Sequence, residues 1–184
     1  MKKKILYSIW AIFLVLLVAC SSSTSETGGG GETVLEVVGF EESKSLTMQE
    51  MKDLPVAEGW GGIKNSAGNI FPAEKIKGVM LTDLLDLVGG FEEGVGVRIV
   101  AKDGYAMTMS YDQVTQGDFI TYDPGTGDEN EVDYPMRVVV AYERAGEPIP
   151  ADDDGPLRLF IIGEDNGQVV DGHWTVKWVS KVEL

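Results

Sequence analysis

Six residues in the last third of the chain, Leu157-Arg158-Leu159-Phe160-Ile161-Ile162, restrict its fold more than any other stretch. Leu157, Leu159 and Ile161 alternate with Arg158, Phe160 and Ile162, so both faces are apolar apart from one arginine. A strand of that kind has to be covered on both sides. A second strand, punctuated by Val176, Trp178 and Val182, is expected soon after it. The loop between them, Gly163 to Gly172, carries three glycines, and His173, the only histidine of the chain, follows it.

Cys20 is the only cysteine. Beyond it there is no disulfide, no thiolate ligand and no cysteine nucleophile, so the fold must stand on its core. Lys2, Lys3 and Lys4 precede an almost wholly apolar run, Ile5 to Ala19, that ends in Leu17-Val18-Ala19-Cys20. A run of fifteen residues is short for a membrane span, which takes about 20, and suits the core of a signal peptide. The pattern is that of a bacterial lipoprotein, in which the cysteine is lipidated and becomes the N-terminus. The expected organisation is a signal peptide over 1–19, a lipidated Cys20 with a Ser/Gly-rich tether over 20–33, and one domain over 34–184. The tether would span roughly 20 Å as a flexible coil. The expected location is extracytoplasmic, on a membrane at the cell surface or in the periplasm.

The net charge is −15 and becomes −18 once the three leader lysines are removed. So acidic a surface argues against nucleic acid and against anionic lipid headgroups as partners.

Within the domain, Val34 to Val38 reads as an opening strand. Thr47-Met48-Gln49-Glu50 has capping-box spacing and predicts a short helix to about Asp53. The glycines and asparagines of Val56 to Ala73 predict turns, with Trp60 and Phe71 as buried anchors. Leu81, Leu84, Leu85 and Val88 fall at helical spacing. Val97 to Ala101 and Ala106 to Met109 form a hairpin around Asp103-Gly104. Ser110 with Gln113 opens another short helix, and Met136 to Tyr142 is a strand. Asp123 to Asp133 reads as an inserted acidic loop.

Several of these segments resemble one family. Gly155-Pro156-Leu157-Arg158 leading to Thr175-Val176-Lys177-Trp178 is similar to the end of the oxidoreductase molybdopterin-binding domain, the fold of the sulfite oxidase family. So are Leu46-Thr47 followed by Met51-Lys52 and Leu54-Pro55, the run Gly78-Val79-Met80-Leu81-Thr82-Asp83-Leu84-Leu85, and Tyr142-Glu143 with Gly146, Pro148 and Pro150. The resemblance implies an α+β domain with a mixed, mainly β core and short flanking helices. It implies that Arg158, the loop Gly163 to His173 and Lys177 stand where the family contacts its pterin cofactor. It also exposes departures. Val56 to Ala73 lacks the cysteine whose sulfur binds molybdenum in the family. The tether replaces the family's pterin-binding segment ahead of the first strand. Asp153 and Asp154 stand where the family has a histidine.

Other chemistries find less support. No Gly-x-Ser-x-Gly turn exists for His173 to serve. One histidine is too few for a zinc site. Met107 and Met109 alternate on a strand as core residues do, and the acidic loop lacks EF-hand spacing for calcium. The sequence therefore leads to a lipid-anchored, non-catalytic module for a small ligand or a redox partner protein. Trp60, Arg158, His173, Trp174 and Lys177 are its candidate binding residues. No catalytic or metal-ligating residue is assigned. The alternative is an active molybdopterin-dependent oxidoreductase with atypical metal ligation.

Overall fold

Residues 31–184 are described, in a computed structural model. The leader, Cys20 and most of the tether lie outside them. In chain order the elements are β1 (Thr33–Val38), β2 (Ser43–Thr47), α1 (Met48–Asp53), β3 (Ala57–Lys64), β4 (Ile70–Met80), α2 (Leu81–Asp86), β5 (Val97–Ala101) and β6 (Ala106–Met109). Then follow α3 (Tyr111–Gln116), β7 (Thr121–Tyr122), β8 (Glu129–Asn130), β9 (Arg137–Arg144), β10 (Glu147–Pro148), β11 (Arg158–Ile162), β12 (Val169–Asp171), a 3-10 turn (Gly172–Trp174) and β13 (Val179–Glu183). No helix among the described residues is long and apolar enough to cross a membrane.

The strands form two mixed sheets. One has the order β2-β1-β13-β5-β6. The other runs β10-β9-β4-β3-β12-β7-β8, with β11 also paired to β9. Every residue of β11 is buried. Leu159 and Ile161 face the main core, beside Leu157, Val138 and Val140 and the helix residues Leu81, Leu84 and Leu85. Phe160 and Ile162 face a second, smaller core with Ala57, Ile76, Val139, Ala141 and Ile149. The two apolar faces of this strand are thus covered by two separate clusters.

Helix ends follow local chemistry. The Thr47 hydroxyl accepts from Glu50 N while the Glu50 carboxylate accepts from Thr47 N, and Ser110 with Gln113 repeats the device. Each box satisfies two amide groups that the first turn leaves unpaired. The hairpin β5–β6 turns at Asp103-Gly104, as expected.

Three expectations are corrected. Val56 to Ala73 is mostly paired strand, not turns. Its glycines serve close approach rather than bending. A Cβ on Gly59 would lie 2.7 Å from Gly163 O, on Gly61 3.0 Å from an Ile76 side-chain carbon, and on Gly62 2.6 Å from Ala73 N. Gly68 alone in this stretch has a positive φ, of 83°. Phe71 is no buried anchor; it is 53% exposed. Finally, the last strand begins at Val179, because Trp178 sits at φ 50° and breaks the extended backbone before it.

The missing side chains have a structural consequence. Trp60 and Gly163 pair backbone to backbone, at 3.0 and 2.9 Å, so β3, β4, β9 and β11 close on one another around the small core. Phe160 and Ile162 fill the space that side chains on Gly59 and Gly61 would take. Gly78 plays the same part between β4 and β9, where a Cβ would lie 2.3 Å from Val140 O. Gly78→Ala is expected to cost about 3 kcal/mol through forced backbone displacement. Gly104→Ala meets no neighbour within 4 Å at φ 89° and should cost only about 1 kcal/mol of left-handed strain. Urea unfolding of the two variants measures the difference.

Candidate functional site

At one end of the two sheets the chain forms a cleft of about 440 Å³. Four pieces of backbone line it. The end of β3 and its turn supply Ile63, Asn65 and Ser66; the β5–β6 hairpin supplies Ala101, Asp103 and Tyr105; β11 supplies Arg158; and the segment from Asp171 to Trp178 supplies the rest. Each turn is fixed by its own side chain. Asn65 Oδ1 accepts from Ala67 N and Asn69 N, and Asp103 Oδ1 accepts from Tyr105 N at 2.9 Å. These are the local bonds that asparagine and aspartate offer a turning backbone.

The Asp171–Trp178 segment is held by a chain of bonds. Asp171 Oδ1 accepts from His173 N at 2.9 Å and lies 3.1 Å from His173 Nδ1. The Thr175 hydroxyl donates to Gly172 O at 2.9 Å and takes a long bond from an Arg158 guanidinium nitrogen at 3.4 Å. Trp178 Nε1 donates to Ala151 O at 3.3 Å. Its left-handed backbone is uncommon for a bulky residue.

Arg158 is 6% exposed. Its guanidinium stacks 4.7 Å from the Phe160 ring centroid and bonds Asp154. Asp154, 1% exposed, also accepts from Arg144 at 2.8 Å. Arg158 Nε and Asp154 Oδ1 are buried without a hydrogen-bond partner.

Of the five candidate residues, the cleft brings together Arg158, His173 and Lys177. Trp60 is not among its lining. It lies half-buried on β3 under the Lys75 ammonium, 4.5 Å from the ring centroid. Trp174 packs edge-on against Phe119, with ring centroids 5.7 Å apart, and supports the main core. Sequence reasoning missed Asn65, Ser66, Asp103, Tyr105, Thr175 and Trp178 as cleft residues, while Asp171 lies inside the Gly163 to His173 loop that the resemblance singled out. Only Tyr105 gave a signal, as an aromatic residue directly after a hairpin turn; it is 50% exposed. In the acidic loop, Asp123 Oδ1 accepts from Gly125 N and Thr126 N, each at 2.8 Å, so this carboxylate is spent on the turn. The described residues contain no group of three or more His, Cys, Asp or Glu side chains placed to hold a metal ion.

The backbone hydrogen bond from His173 holds the Asp171 carboxyl below the ordinary aspartate value, against a smaller opposing effect of burial. The stability it adds is present above the unfolded-state pKa and is lost as pH falls through the folded one. Asp171→Asn should leave the cleft folded and flatten that part of the acid-unfolding curve. Asp171→Ala should cost about 1 kcal/mol at neutral pH through loss of the cap. Thermal unfolding across the acid range checks both.

Comparison with known proteins agrees with the strand arrangement. The model of a family described as the oxidoreductase molybdopterin binding domain matches residues 32–184. Among solved structures, the sulfane dehydrogenase SoxCD from Paracoccus pantotrophus is similar with a TM-score of 0.57. Identity is 17%, over 81% of this chain and 37% of that one. The likeness shows a shared fold, and this chain spans little more than a third of the SoxCD chain. No curated protein matches the chain.

Proposed function

The chain belongs to the oxidoreductase molybdopterin binding domain family, and from that premise we propose that it is a non-catalytic ligand-binding module, held at an extracytoplasmic membrane surface by lipid on Cys20. The observation that carries this reading is the donor set of the cleft. The ligand that the family resemblance implies for molybdenum is a cysteine sulfur, a soft donor, and residues 31–184 contain no cysteine. The nitrogen and oxygen groups that line the cleft are Asn65, Ser66, Asp103, Tyr105, Arg158, Asp171, His173, Thr175 and Lys177. Nor is the lining electropositive. Arg158 and Lys177 are balanced by Asp103 and Asp171, and one guanidinium nitrogen of Arg158 bonds Asp154. These residues do not fit a protein-ligated molybdenum with an anionic pterin.

What remains is a pocket of the size that binds small molecules, on a family scaffold. Fold alone does not carry the family's chemistry with it. The charged start, apolar core and Leu-Val-Ala-Cys run of the leader support export and lipidation.

The test is expression of the full chain in a host that makes molybdopterin, followed by elemental mass spectrometry and pterin fluorescence on the purified protein. The expected result is substoichiometric molybdenum and tungsten and no pterin, with small-molecule binding in the cleft. Stoichiometric metal with pterin overturns the non-catalytic reading. Cys20→Ser should move the protein from the membrane fraction to the soluble one, because the proposed anchor is the acyl chains.

A further inference from the structure

Resting on the reading of the cleft as a ligand site, we infer that its ligand is a small zwitterion carrying both a carboxylate and an ammonium group. The cleft lining holds charges of both signs on different pieces of backbone. Arg158, Lys177 and Thr175 lie on β11 and the segment before β13, while Asp103 and Tyr105 sit on the turn between β5 and β6. The two parts are joined, since Lys102 N donates to Trp178 O at 2.9 Å and Ala101 pairs with Val179.

Much of the remaining charge is spent internally. Asp171 takes both the amide and the ring nitrogen of His173. Among the charged groups of the lining, bonding capacity is left at Arg158 Nε, buried and unpartnered; at the Lys177 ammonium, whose ring contact is Trp178 at 5.8 Å; and at the second oxygens of Asp103 and Asp171, whose first oxygens accept from Tyr105 N and His173 N.

A carboxylate placed by Arg158 and Lys177 gains charge-assisted hydrogen bonds. An ammonium placed by Asp103 gains an opposite charge and the aromatic faces of Tyr105 and Trp178, which attract cations. A plain anion would bring uncompensated negative charge beside Asp103 and Asp171. A plain cation would do the converse beside Arg158 and Lys177. A ligand carrying both charges leaves neither sign unmatched.

The experiment is calorimetric titration of the full chain with three panels. The first holds α-amino acids and their trimethylammonium betaines. The second holds simple carboxylates and phosphomonoesters, and the third the corresponding amines. The expected outcome is that the tightest ligand is a zwitterion, bound roughly tenfold or more tightly than either of its singly charged halves. Asp103→Asn should remove that preference while binding of the carboxylate half is kept. Asp103 is exposed at a turn tip, so the variant is expected to fold, and its unchanged melting temperature is the control. A plain anion binding as tightly as any zwitterion overturns the inference and leaves the ligand-binding function standing. Failure of all three panels to bind overturns both.

Discussion

The carboxylate of Asp154 lies between the guanidinium groups of Arg144 and Arg158, sealed from solvent. The arrangement of the cleft depends on it. Arg144 ends β9, Arg158 opens β11, and the carbonyl of Asp154 itself accepts from Trp178 N at 3.0 Å. One residue therefore ties two paired strands to the segment that forms the cleft wall. Burying an ion pair brings little net stability, since the desolvation of the charges offsets most of their attraction. Breaking one is different, because the abandoned charge stays buried, at a cost of about 3–5 kcal/mol. The cluster thus fixes geometry more than it adds stability.

The small core beneath it explains why β3 is built as it is. Ala57, Gly59 and Gly61 alternate toward Phe160 and Ile162, and the bulk lies on β11 while β3 gives way. That division lets the backbones of Trp60 and Gly163 meet and close the four strands. The end of β3 and the start of the Gly163 loop are then set relative to each other. Arg158, on the same face of β11 as Phe160 and Ile162, caps this closed unit and borders the cleft.

Much of this was legible in the residues. Leu157 to Ile162 announced a strand covered on both faces, and it separates two clusters. Thr47/Glu50 and Ser110/Gln113 announced their caps, and Asp103-Gly104 its hairpin, because those signals are local. The glycines of β3 misled, since a glycine that avoids a clash with Gly163 or Ala73 looks in sequence like one that turns the chain. Trp178 misled for the opposite reason. Nothing local asks a tryptophan to adopt a left-handed backbone; tertiary bonds through Asp154 and Ala151 hold it there. The cleft was half legible. Arg158, His173 and Lys177 fell within segments that resemble the family. Asp171 lay in the same resembling loop as His173, whereas Asp103 and Tyr105 come from the β5–β6 hairpin and join the cleft only through folding.

The family fold and the altered donor set belong together in this account. The fold is that of the family, while Asp154 and its two arginines support a cleft lined by balanced charge. The most direct test of that claim is the unfolding free energy and small-ligand binding of Asp154→Asn, Arg158→Met and the double variant Asp154→Leu/Arg158→Met. The account predicts that Asp154→Asn loses about 3 kcal/mol. The double variant should recover most of that stability and yet lose ligand binding, because apolar residues replace the pair's volume and not its geometry. Near-parental stability of Asp154→Asn, or full binding by the double variant, would contradict it.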